Sequence, residues 1–286
     1  EVERGIGLGT LTRGMIYRNM ADMWRELGIS LEDAIRYADL AETDLKEAVR
    51  IFSLSVREPI REVQACNELA CCYRARHWLL VHKGAPEGEQ RMALSQGRTW
   101  FRRAVEAARR HGYPIEELDS LQDLAVLFTR AGEYDEAERL LEEIRTKIPE
   151  SYHIRPGIGL AEMTEEERVD AYYKLMGQVE LLAGAISFER GRIEAQRQGK
   201  PGDVPTREAL LQTARSYLLA VYYFNTYSGE AFAHRLTYAR IYRRFQICPP
   251  ELVREITQEH LPQWIAEYHL PEELARGLFL DVFGLF

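Results

Sequence analysis

Apolar residues recur along this chain every three to four positions, interrupted by glycine and proline. Alternating, strand-like runs are almost absent. The pattern predicts about eleven helices. The first spans about 11–27 and stops at Gly28. Ser30 with Asp33 three residues on reads as a capping box opening a long helix to about 55. Pro59 opens the next, near 58–83. A helix follows the Gly84-Ala85-Pro86 break and runs to Gly112. Pro114 starts another, near 115–131, and Gly132 separates it from one at 134–147 that Pro149 closes. Beyond the loop at 149–163, Thr164 caps a very long helix, near 164–198. Gly199-Lys200-Pro201-Gly202 breaks it, and helices follow at 206–227, 230–246, 250–268 and 272–284. Short connections between helical neighbours imply stacked antiparallel pairs. One continuous domain over 1–286 is the expectation, with 149–163 as its candidate hinge.

Residues 118–149 contain the most informative unit. Leu121, Leu124, Ala125 and Phe128 share one face of a helix. Gly132 and Tyr134 make a turn. Ala137, Leu141 and Ile144 line the second helix, and Pro149 ends it. Small Ala125 and Ala137 let two helices approach closely, while Phe128 and Leu141 fill the space beside them. This L-x2-L-A-x2-F, A-x3-L-x2-I, proline pattern resembles the tetratricopeptide repeat. Weaker echoes lie at Leu69, Ala70 and Tyr73, at Gly97, Phe101 and Ala104, at Met20, Ala21 and Trp24, at Ala34, Ala38 and Ala41, and at Ala214, Leu218 and Val221. The resemblance implies an all-α, right-handed α-solenoid of antiparallel helix pairs, each pair needing neighbours to bury its apolar face. The helices near 30–55 and 164–198 exceed the family's usual length.

The resemblance also implies function. Such repeats hold a partner protein or peptide in a concave groove lined by the first helix of each pair. Carried over residue by residue, the groove takes Arg18, Asp22 and Arg25 from the first unit. The second supplies Gln64, Asn67, Cys71 and Arg74, and the third Asp119, Gln122, Val126 and Arg130. Glu189 and Arg190 come from the long helix. Arg18, Arg74, Arg130 and Arg190 would form a row of guanidinium forks suited to an acidic peptide or a terminal carboxylate. The lysine–asparagine set with which some family members clamp a carboxylate is not reproduced. The competing reading is that these arginines are solvated and paired locally with acids such as Asp22. The expected role is a sensor or scaffold, similar to the repeat domains of larger STAND-type bacterial signalling proteins. The opening Glu1-Val2-Glu3-Arg4, without methionine, fits a piece of a longer protein.

Composition narrows the alternatives. The net charge of −8 opposes broad binding to nucleic acid or anionic membrane. No apolar run approaches a bilayer span. Cys66, Cys71, Cys72 and Cys248 fit neither a disulfide framework nor a zinc site, so reduced, buried thiols and a cytoplasmic setting are expected. His77 and His82 are five apart, poorly placed for one metal. No phosphate loop, metalloprotease motif or nucleophile elbow occurs, so neither catalysis nor a cofactor is expected. Arg235, Arg240, Arg243 and Arg244, interleaved with Tyr238, Tyr242 and Phe245, read as a helix with a solvated basic face. The aromatics Tyr217, Tyr222, Tyr223, Phe224 and Tyr227 read as core. As walls of an enclosed pocket they would instead make the chain a small-molecule or oligopeptide receptor. The apolar end (Leu278, Phe279, Leu280, Val282, Phe283, Leu285, Phe286) is expected to cap the stack or, failing that, to dock.

Overall fold

A computed structural model describes residues 1–153, 165–199, 204–226, 249–273 and 276, with side chains left out of account at 149–153, 165–171 and 225–226. The described residues are helical throughout, without strands. They form nine α-helices and divide into two compact units, Glu1–Glu162 and Met163–Phe286. The first holds α1 (Val2–Asp22), α2 (Leu31–Arg50, extended by a π turn Ile51–Ser55), α3 (Pro59–Lys83), α4 (Glu87–His111), α5 (Pro114–Arg130) and α6 (Tyr134–His153). The second holds α7 (Glu165–Arg197), α8 (Arg207–Thr226) and α9, which runs from Pro250–Glu255 through a π turn Ile256–His260 into Leu261–Tyr268. The helices expected at 230–246 and 272–284, the loop expected at 149–163 from residue 154 on, Cys248 and the apolar end fall outside the described residues, entirely or nearly so. No helix among the described residues is long and apolar enough to cross a membrane.

Most boundaries follow from local chemistry. Ser30 Oγ accepts the Asp33 N–H at 3.1 Å and caps α2. Pro59 and Pro114 sit in the first turns of α3 and α5, where the missing N–H costs nothing. Gly84 and Gly112 take the left-handed conformation that closes α3 and α4 (φ 67° and 73°). Two boundaries depart from expectation. α1 starts at Val2, not near 11, although Gly5, Gly7 and Gly9 are poor helix formers. Packing overrides propensity there: a Cβ on Gly7 would meet Ile51 at 2.8 Å, and one on Gly14 would meet Leu45 at 2.7 Å. α6 continues through Pro149 to His153. The proline therefore does not end it, although it brings no backbone N–H to the Arg145 carbonyl one turn earlier.

Consecutive helices pack as neighbours. α3 touches α1, α2, α4 and α5, and α5 packs between α4 and α6. The repeat positions Leu121, Leu124, Ala125, Phe128, Ala137, Leu141 and Ile144 are all buried; the side chain of Pro149 is not described. The weaker echoes are buried too, from Ala34, Ala38 and Ala41 to Leu69, Ala70, Phe101 and Ala104. Ion pairs tie the outer surface across helices, as where Arg109 of α4 meets Glu117 of α5 and Glu143 of α6, both at 2.8 Å.

In the second unit a glycine seam sets the approach of α7 to α8. Gly177, Gly184 and Gly191, seven apart, face Phe224, Tyr217 and Ala209. Thr213 Oγ1 reaches the Gly184 carbonyl at 3.3 Å, and the Thr206 N–H bonds the Gly191 carbonyl at 3.2 Å. Tyr217 and Phe224 are thus packing residues. α9 closes this core with Leu252, Val253, Ile256, Leu261 and Trp264. A methyl group at position 184 would overlap the fully buried Tyr217 ring. Gly184→Ala is therefore expected to lower stability by about 1–3 kcal/mol in urea unfolding. Gly9→Ala, with open space above it, should raise it by about 0.5–1 kcal/mol.

Candidate functional site

α1, α3 and α5 are the first helices of their pairs, and their groove-designated residues meet. Arg18 and Asp22 lie one turn apart on α1, Asn67, Cys71 and Arg74 follow a stripe on α3, and Arg130 ends α5. Arg74 is the hub. Its guanidinium lies 2.5 Å from Asp123 of α5 and 3.6 Å from Asp22 of α1. Asp22 also accepts from Arg130 at 2.6 Å, joining α1 to α5 across 108 residues of sequence. Asp123 accepts from Asn67 Nδ2 at 3.0 Å and from the Cys71 thiol at 3.3 Å. At the other end, Arg18 grips Glu68 at 2.6 Å. Three arginines thus face three carboxylates, and the cluster is electrically balanced.

The expected open row of guanidinium forks is therefore corrected in part. Arg18, Arg74 and Arg130 converge, but each is already held by a carboxylate. They are also not solvated: the Arg74 side chain is only 7% exposed, Asp22 14% and Asp123 19%. Arg25 differs. It is exposed, has no carboxylate partner among the described residues, and lies over the Trp24 ring at 5.0 Å. Gln64 accepts from Arg61 at 2.7 Å, Gln122 is buried, and Val126 is half-buried. Arg190 and Glu189 belong to α7 in the second unit, where Glu189 pairs with Arg192 at 3.0 Å. Glu68 and Asp123 were missed from sequence. Each sits one position from a residue singled out, Asn67 or Gln122, and only the fold reveals their partners.

The network sets the protonation of its members. Burial alone would raise the Asp22 pKa, but Arg130 and Arg74 outweigh it and hold the carboxyl well below the usual range. Asp123 is likewise pushed up by burial and more strongly down by Arg74 and by the hydrogen bonds from Arg74 and Asn67. Burial opposes the charge on Arg18, yet Glu68 keeps that guanidinium firmly protonated. The thiols are inert. Burial pushes Cys66 and Cys72 up to about 12 and Cys71 well above the ordinary thiol value. All three described cysteines are free and buried. His77, 6% exposed and with Nδ1 unpaired, is lowered by burial first and then by Arg130 and Arg98.

These shifts have definite signs. Asp22 and Asp123 bind protons less readily folded than unfolded. Their stabilisation is complete above the ordinary carboxylate pKa and is lost as pH falls through it toward the folded values. His77 also resists protonation when folded, so its contribution begins to fall earlier, as pH drops below about 6.5. Stability measured against pH should show both steps, with His77→Gln removing the earlier one. Arg74→Met leaves Asp123 and Asp22 underpaired and should cost about 3–5 kcal/mol in urea unfolding. An exposed pair such as Arg139–Glu136 should cost about 0.3–0.5 kcal/mol. Neither a scan against protein-family models nor a search of curated protein sequences finds a match to this chain.

Proposed function

We propose that the chain is a protein-binding helical repeat domain, a tetratricopeptide-like α-solenoid that holds a partner protein or peptide on the face shared by α1, α3 and α5. One observation carries this reading: the side chains of those three helices converge in a single charge-balanced cluster, as expected where first helices line one concave surface. The packing of consecutive helices and the buried small residues Ala125 and Ala137 support stacking of the tetratricopeptide kind. A role as a sensor or scaffold module of a larger signalling protein rests on the resemblance alone; a cytoplasmic setting and the lack of catalysis of its own rest on cysteine usage and on the motifs read in the sequence.

The balanced cluster changes what the partner would meet. Acidic side chains of this chain already occupy the forks of Arg18, Arg74 and Arg130, so the floor of the face offers packing and shape. Among the described residues, Arg25 at one end carries positive charge without a carboxylate partner. The buried Arg74 is a poor site for testing binding, because Arg74→Glu would bring a third carboxylate against Asp22 and Asp123 and unfold the unit.

A photo-cross-linking residue placed at half-buried Gln64 or Val126, compared with exposed Arg50 of α2 or Arg139 of α6, tests the reading. The same adduct protein should appear from positions 64 and 126 and be absent from 50 and 139. Adducts confined to 50 and 139 would assign binding to the opposite side.

A further inference from the structure

We infer that the outer side of α1 pairs with the same side of a second copy of this chain, antiparallel, in a two-fold dimer. The inference is independent of the protein-binding reading above, which uses the side of α1 that bears Arg18 and Asp22. Gly7, Leu11, Gly14 and Ala21 define the buried side of α1. The opposite side carries Val2, Ile6, Gly9, Arg13, Ile16 and Met20, spaced alternately by four and three residues. That spacing is the seam of a two-helix coiled coil. The outer side of a solvated helix is ordinarily polar, yet here every seam position except Arg13 is apolar or glycine. It is also open: Val2 is 79% exposed, Ile6 54% and Ile16 53%. A second observation points the same way. Gly9 lies inside the helix, where glycine is unfavourable. Gly7 and Gly14 are explained by the close approach of Ile51 and Leu45, but among the described residues nothing lies within 4 Å of a Cβ placed on Gly9. The fold of one chain gives no reason for that glycine, and a second helix packed against it does.

The seam selects its own partner and direction. Parallel pairing of two copies would set Arg13 against Arg13 and Glu3 against Glu3. Antiparallel pairing can instead lay Arg13 of each copy over Gly9 of the other, so the longest seam side chain meets the one position without any. The same register brings Ile6 level with Ile16 and Val2 level with Met20, and every seam position is filled from both copies. Arg13 can be covered without stranding a charge. Its guanidinium is held by Asp44 of its own chain at 2.6 and 2.7 Å, and its stem is apolar. The flanking Thr10, Thr12, Tyr17 and Asn19 are uncharged, so no like charges oppose each other along the seam. The ends attract: Glu1 and Glu3 come toward the end of the other helix, beyond which Arg25 carries positive charge without a carboxylate partner among the described residues. From Val2 to Met20 the seam is about 27 Å long, short for a permanent interface, and a reversible dimer with a dissociation constant on the order of 10–100 µM is expected.

Sedimentation equilibrium of the whole chain, from about 5 to 500 µM in about 0.15 M salt to screen the net charge of −8, should show monomer and dimer in exchange. Ile6→Glu and Ile16→Glu, both at exposed positions and each entering the interface twice, should raise the dissociation constant about tenfold or more with an unchanged thermal midpoint. Cysteines read the register. In a Cys248→Ser background, where the three remaining cysteines are buried, an oxidised mixture of Ile6→Cys and Ile16→Cys proteins should form a disulfide-linked dimer, and either protein alone should not. A chain that stays monomeric throughout, or a dimer that keeps its affinity with either glutamate, overturns the inference. So does a mixture that fails to cross-link, or cross-linking of either cysteine protein alone.

Discussion

The guanidinium of Arg74, held between Asp22 and Asp123, is the constraint on which the first unit turns. A charge withdrawn from water is costly unless it is paired and hydrogen-bonded. Arg74 meets that demand only when α1 and α5 both lie against α3, each presenting its acid at the right turn. A shift of either helix by one turn would strand a charge. The cluster therefore specifies arrangement, a role distinct from the bulk stabilisation supplied by Leu69, Phe101, Leu127 and the buried alanines.

That arrangement is what a binding face requires. A partner gains affinity from a surface already in its bound shape, since less ordering is needed on association. The network spans α1, α3 and α5 from Arg18 at one end to Arg130 at the other, and Arg130 also covers Trp78. Structural charge and candidate contact surface are thus continuous. An arginine that looks available in sequence can be fully employed by the protein itself.

Local signals made much of the fold legible. Prolines in first turns and glycines past last turns placed α3, α4 and α5 closely, and the alternation of small and large residues identified the α5–α6 pair. Long-range effects were not legible. The early start of α1 depends on Ile51 and Phe52 closing over Gly7, an event some 45 residues away. The seam on α7 repeats every seven residues but gains meaning only against Phe224, Tyr217 and Ala209. Helix position alone brings Arg18, Asp22, Arg74 and Arg130 to one face, but not their pairing, because Arg18–Glu68, Arg74–Asp123 and Asp22–Arg130 are separated by 50, 49 and 108 positions.

A double-mutant cycle on Asp22 and Arg130 addresses the central claim most directly, since these two residues bind α1 to α5 without any local reason to interact. Urea unfolding of Asp22→Asn, Arg130→Gln and the double variant should give a coupling of about 1–3 kcal/mol. Strictly additive effects would mean that the helices are positioned by apolar packing alone and that the charge cluster organises nothing.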